Sequence, residues 1–166
     1  MARSRAAVLV VLVTAALLGG SHVPLASRGR TTWTVSEVVD GDTVVLTRGS
    51  RAETVRLLGV DTPETKHPDR PVGCYGPEAA DFTEVQLLGR QVAVERDVEA
   101  RDVYGRMLAY LELDGRRFND VLLREGYATL LVIPPNDRHG REMLRAELDA
   151  RSAGRGLWGV CSGSVD

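Results

Sequence analysis

The chain has 166 residues, 43% of them hydrophobic and 27% charged, with a net charge of −2. That length suits one cored domain and is too short for two, and the apolar content excludes a disordered chain. The acidic balance excludes a protein that grips polyanions by bulk charge, so any phosphate chemistry has to rest on a local cluster.

In chain order, MARSR carries two arginines and is followed by the continuous apolar run 6–20, AAVLVVLVTAALLGG. This is the basic and then hydrophobic pattern of a secretory signal. The run is short against the roughly 20 residues of a membrane span, although an uncleaved anchor would share the pattern. The expectation is a signal peptide over 1–26 with a poorly marked cleavage site, and one folded domain over 31–161 in a secreted, extracellular or membrane-anchored protein. Without residues 1–26 the chain keeps 19 basic against 23 acidic side chains, a net charge of −4.

Residues 32–39, TWTVSEVV, alternate and are rich in β-branched types, so they predict a strand. TVVLTR predicts a second and AETVRLLGV, 52–60, a third. DTPETKHPDRPVGCYG is a long loop. PEAADFTEVQLLG, 77–89, predicts a helix, with Pro77 in its first turn and Gly89 closing it. QVAVERDV and RMLAYLEL are strands four and five, the latter closed by a turn at 114–115. Asn119 is placed to cap a second helix through VLLREG. ATLLVI is a short extended run, and DRHGREMLRAELDARSAG a third helix with Met143, Ala146 and Ala150 inward. Five short strands with a helix inserted after the third predict an α+β, mainly β fold: a five-stranded OB-type Greek-key barrel with three α-helices.

The two cysteines, Cys74 and Cys161, would bridge in an oxidising compartment. Two separate buried thiols are the alternative.

Several polar residues sit where the apolar pattern does not want them. VVDGDTVVL reads as a hairpin whose Asp40-Gly41 pair supplies the turn, yet a second acid, Asp42, follows at once. A solvated turn acid and a hard-cation ligand both fit it. Arg56 interrupts TVRLLGV, Asp61-Thr62-Pro63-Glu64 ends that strand, and Arg106 opens another. Each has an ordinary reading as a solvent-facing, turn-forming or surface-paired residue, Arg106 with Asp102. Jointly they make a kit. Two aspartates and a backbone carbonyl can hold Ca²⁺, two guanidiniums can clamp a phosphodiester, and a further carboxylate can activate water.

VVDGDTVVL, VRLLGVDTPETKHP, CYGPEAADFT, DVYGRMLAYLELDG, LLREGYA and PPND, in that order over about residues 33–159, closely resemble the staphylococcal nuclease family. The resemblance implies a Ca²⁺-dependent secreted endonuclease on an OB-type barrel. Such an enzyme acts on DNA and RNA, cuts the 5′ P–O bond and leaves 3′-phosphates. It implies Asp42, Asp61 and the Thr62 carbonyl as Ca²⁺ ligands, with Asp40 beside the metal through water. Glu64 would be the general base or orient the attacking water, and Arg56 and Arg106 would bind the scissile phosphate. Tyr104 and Lys66 would contact substrate. The sequence departs from the family's type enzyme before Pro135-Asn136, where that enzyme has two tyrosines and LLVIPP stands here, and at Val103, where it has a lysine. A weaker grip on the base follows, since stacking contributes ~1–3 kcal/mol per base. A monomer is expected. The competing readings are a non-catalytic nucleic-acid-binding module of the same fold and a Ca²⁺-stabilised interaction module. Turnover with and without Ca²⁺ tests against the first, and the second would show metal-dependent melting without binding oligonucleotides.

Overall fold

Alternation of β-branched residues with polar ones sets the first three strands. β1 (Thr32–Asp40), β2 (Thr43–Arg48) and β3 (Arg51–Leu57) form an antiparallel meander. Their period of two turns Trp33, Val35, Val44, Leu46, Val55 and Leu57 into the core. The computed structural model describes residues 31–65 and 71–161. The expected signal segment and Lys66 lie outside the described residues.

After β3 come β4 (Gly59–Asp61), α1 (Gly76–Leu87), β5 (Gln91–Glu95) and β6 (Met107–Leu113), then β7 (Arg116–Arg117), α2 (Phe118–Glu125), β8 (Thr129–Leu131), α3 (Gly140–Ser152) and the single turn α4 (Leu157–Val160). β5 pairs with β1 and with β6, both antiparallel, and β6 meets β3 in parallel with Val55 opposite Met107. That last pairing closes a five-stranded barrel and leaves it no open edge. The architecture is the expected mainly β, OB-type one, with three helices of eight residues or more and α4 as an added turn. α2 and α3 plug the barrel with Leu122, Leu123, Met143 and Ala146, all buried.

Three local readings change. The expected strand 52–60 is cut after Leu57. Gly59 takes φ +75°, and a Cβ there would lie 2.6 Å from the Met143 sulfur, so the close approach of α3 demands glycine. The cut releases β4 to pair with β8 and carries Asp61 to the barrel rim. The fourth strand ends at Glu95, not 98, because residues 96–106 form a loop. Asn119 is not the cap of α2: Arg117 takes that position. The buried Asn119 side chain instead accepts the Leu111 N–H (3.0 Å) and donates to the Leu58 carbonyl (2.8 Å), stitching α2 to the strand break. Cys74 and Cys161 are joined in a disulfide, Cα atoms 5.9 Å apart, tying the start of α1 to the end of α4.

Candidate active site

The hairpin between β1 and β2 differs from its expected form. Asp40 is the last paired residue, opposite Thr43, and the two loop residues are Gly41 and Asp42. Neither takes a positive φ. Glycine is needed at 41 for space: a Cβ would stand 2.7–2.9 Å from three atoms of the Thr62 side chain. The Gly41 carbonyl accepts the Thr83 hydroxyl of α1 at 2.7 Å. The turn is thus clamped between α1 and the segment after β4, and Asp42 is folded inward, 4% exposed.

Inside, Asp42 is well held. Its Oδ1 accepts the Thr43 hydroxyl (3.1 Å), its Oδ2 accepts the Thr62 N–H (2.9 Å), and its own N–H donates to Asp40 Oδ1 (3.2 Å). Arg56, opposite Thr43 on β3, brings its guanidinium to the same place. Nη1 donates to the carbonyls of Val60 (2.7 Å) and Leu57 (3.0 Å). Nη2 lies 2.7 Å from Asp61 Oδ1 and 3.1 Å from Asp42 Oδ2. Burial pushes the Asp42 carboxyl up to about 7, and the neighbouring charges of Asp40 and Asp61 add to it, while Arg56 and the Thr62 N–H pull it back. Two carboxylates drawn to one point, one of them reluctant to ionise, form a site short of positive charge. The donors are all hard oxygens, which suits Ca²⁺. Among the described residues no three His, Cys, Asp or Glu side chains gather as a ready metal cluster. What gathers is two acids around a guanidinium.

Thr62 leads through buried Pro63 to exposed Glu64, whose Oε1 accepts the Thr65 N–H at 2.9 Å and whose carbonyl accepts the Gly73 N–H at 2.8 Å. Gly73 and Gly76 let the start of α1 press on this segment. A Cβ at Gly73 would be 2.8 Å from Pro63, and one at Gly76 3.0 Å from its carbonyl. The bridged Cys74 lies inside that contact.

Loop 96–106 supplies the other wall. Asp102 Oδ1 accepts the N–H groups of Tyr104 (3.0 Å) and Arg106 (2.9 Å), and Oδ2 accepts Arg106 Nε (2.7 Å). Burial raises the Asp102 carboxyl, but the side-chain and backbone hydrogen bonds from Arg106 outweigh it and hold it below its ordinary value. The Arg106 guanidinium lies 5.4 Å from the Tyr104 ring centre. Arg56, Arg106 and Tyr104 line one cleft of about 570 Å³, with Val103, Leu131 and Ile133 as its aliphatic side. The segment LLVIPP therefore meets the cleft with leucine and isoleucine.

Of the expected site residues, the structure brings Asp42, Asp61 and Arg56 into contact. It sets Arg106 and Tyr104 in the same cleft as Arg56, and Thr62 and Glu64 on the adjoining segment. Asp40 holds the turn through the Asp42 N–H. Asp102 serves as the orienting partner of Arg106, so the surface-pairing reading of Arg106 and the site reading coexist. Thr83 and Asn136 were not foreseen. Asn136, 4% exposed, exchanges two hydrogen bonds with the Glu99 backbone (2.8 and 3.1 Å) and pins loop 96–106. The one sequence signal for Thr83 is a polar residue on the inward face of α1.

The model of the family described as staphylococcal nuclease homologue matches residues 54–160. The thermonuclease of Staphylococcus intermedius is 41% identical over 124 residues, covering 75% of this chain and 74% of that one. The thermonuclease of Staphylococcus hyicus is 37% identical over 134 residues, with coverage of 81% and 79%. Endonuclease YncB of Bacillus subtilis is 35% identical over 127 residues, 75% of this chain and 60% of its own.

Proposed function

Because the chain belongs to the staphylococcal nuclease family and is therefore a nuclease, a phosphodiester hydrolase, we propose that it is a Ca²⁺-dependent endonuclease of DNA and RNA that leaves 3′-phosphate ends. The observation that carries the reading is the convergence of Asp42 and Asp61 on Arg56 Nη2, beside a cleft that Arg106 also lines.

Asp42, Asp61 and the Thr62 carbonyl would hold the ion, with Asp40 behind them through water. A bound Ca²⁺ supplies charge neutralisation at a phosphate oxygen. Arg56 and Arg106 hold the scissile phosphate from two sides and stabilise the extra negative charge of its five-coordinate transition state. Asp102 fixes the Arg106 fork, so little reorganisation is left for the reaction. Glu64 orients a water and takes its proton as the water oxygen bonds to phosphorus in line. The P–O5′ bond breaks, and the departing 5′ oxygen takes a proton from solvent and leaves as a hydroxyl. Tyr104, 82% exposed, is free to meet a base, and Lys66 is assigned to substrate contact by the family pattern. Leu131 and Ile133 in place of aromatic residues make base contact weaker and less selective. The apolar run at 6–20 supports export, with residues 1–26 as the signal.

Digestion of single-stranded DNA and of RNA by the purified protein tests this, first with Ca²⁺ and then with EGTA. Ca²⁺-dependent cleavage leaving 3′-phosphates is expected. Ca²⁺ binding with intact fold and no cleavage would overturn the reading in favour of a binding module.

A further inference from the structure

A second cleft, of about 360 Å³, opens where the start of β1 meets the end of β2 and the start of β6. Its lining is Thr31, Trp33, Arg48, Val94, Arg96 and Met107, with no carboxylate among them. Six arginines are neutralised: Arg56, Arg90, Arg101, Arg106, Arg117 and Arg138 each pair with an acid. Among the described residues neither Arg48 nor Arg96 has such a partner. Both are exposed.

The Arg48 side chain nonetheless has an aromatic partner. Its Cζ lies 4.7 Å from the centre of the Trp33 ring. Stacking on the indole fixes the guanidinium plane without using its N–H groups. Arg51 stands directly across the β2–β3 hairpin from Arg48 and adds a third positive charge at this end. In a chain that is acidic overall, two arginines lining a concave surface, with Arg51 across the hairpin, make a local positive field. A fork held in place with its donors free is the geometry that takes a phosphate oxygen pair.

The cleft also has a defined relation to the proposed active site. Met107 lines it, and Arg106, the preceding residue, lines the catalytic cleft. Loop 96–106 begins at Arg96 on one side and ends at Arg106 on the other. Loop 96–106 therefore contributes an arginine to each cleft, Arg96 to this one and Arg106 to the other.

We infer that the Trp33–Arg48–Arg96 cleft is a second contact site for the phosphodiester backbone of a single-stranded polynucleotide. It grips the substrate beyond the bond being cut. The inference rests on the nuclease reading for its biological sense, but its test does not need turnover. Binding of a fluorescently labelled single-stranded 40-mer, DNA and RNA in separate arms, is measured by anisotropy in EGTA across a range of salt. The R48Q/R96Q double variant is expected to bind both about tenfold more weakly. Its log-affinity against log-salt slope should be shallower by about 1.4, two phosphates at about 0.7 each. Weakening confined to one arm would assign the site to that polymer. Turnover of a trinucleotide in Ca²⁺, too short to span both clefts, is expected to be unchanged, and it reports separately on the nuclease reading. Unaltered 40-mer affinity and salt slope in the double variant would overturn the inference, as would equal losses of kcat/KM on the trinucleotide and the 40-mer. If loss of the Trp33 cover lowers the melting temperature, R96Q alone carries the test, with half the change in slope.

Discussion

Replacing Asp42 by asparagine should stabilise the cation-free protein while abolishing its response to Ca²⁺. The folded carboxyl sits at about 7 against an ordinary 3.8, with burial the main cause. At about 1.4 kcal/mol per pH unit, keeping Asp42 ionised costs the cation-free fold up to about 4 kcal/mol. Because the folded pKa is raised, the folded state holds a proton that the unfolded chain has already released. The cost is therefore complete above the folded value and shrinks as pH falls. It is gone below the unfolded value. D42N, which mimics the neutral carboxyl, should thus exceed the wild type by up to about 4 kcal/mol at pH 8, by less than about 2 at pH 5, and by almost nothing at pH 3.5. Urea unfolding in EGTA at those three pH values measures it. Adding Ca²⁺ should narrow the gap at pH 8. The wild type gains about 2.7 kcal/mol at a hundredfold excess over Kd, and D42N gains little. A D42N protein less stable than wild type at pH 8 in EGTA would refute the reasoning, as would a gap of constant size across the series.

Removing the Cys74–Cys161 bridge as C74S/C161S releases a loop with a sequence separation of 87. Chain entropy then predicts a loss of about 4.5 kcal/mol, or roughly 15 °C in thermal melts, and a drop under about 4 °C would refute that origin. E64Q should lower kcat by about 10²–10⁴ and R106Q by about 10²–10³. Both should melt close to the wild type, and wild-type turnover in either would remove it from the site. N119L strands the Leu111 N–H and the Leu58 carbonyl inside the protein. It should cost about 2–4 kcal/mol in denaturant melts, with full activity retained in the folded fraction.

The strands, the first helix and the acid-rich segments were legible because their signals are local: alternation, a proline at a helix start, acids breaking apolar runs. Tertiary contacts were not. Asp-Gly at 40–41 reads as a positive-φ turn, yet Gly41 is glycine because Thr62, twenty-one residues on, packs over it. Asn119 looks like a cap until the barrel offers it the Leu111 N–H and the Leu58 carbonyl. The strand break at Leu58 has no sequence mark beyond Gly59, whose need comes from Met143 on a distant helix. Arg56 was recognisable as misplaced, but its neutralising role between Asp42 and Asp61 appears only when the three meet.

The disulfide also has a consequence in time. Cys74 and Cys161 are separated by 87 positions, and a chain made N-terminus first at about 5–20 residues per second exposes the first thiol roughly 4–17 s before the second exists. During that interval Cys74 has no native partner. The correct bond needs α3 and α4 already laid against the barrel, since only then does Cys161 arrive beside the start of α1. The covalent link then holds the end of α4 to the start of α1.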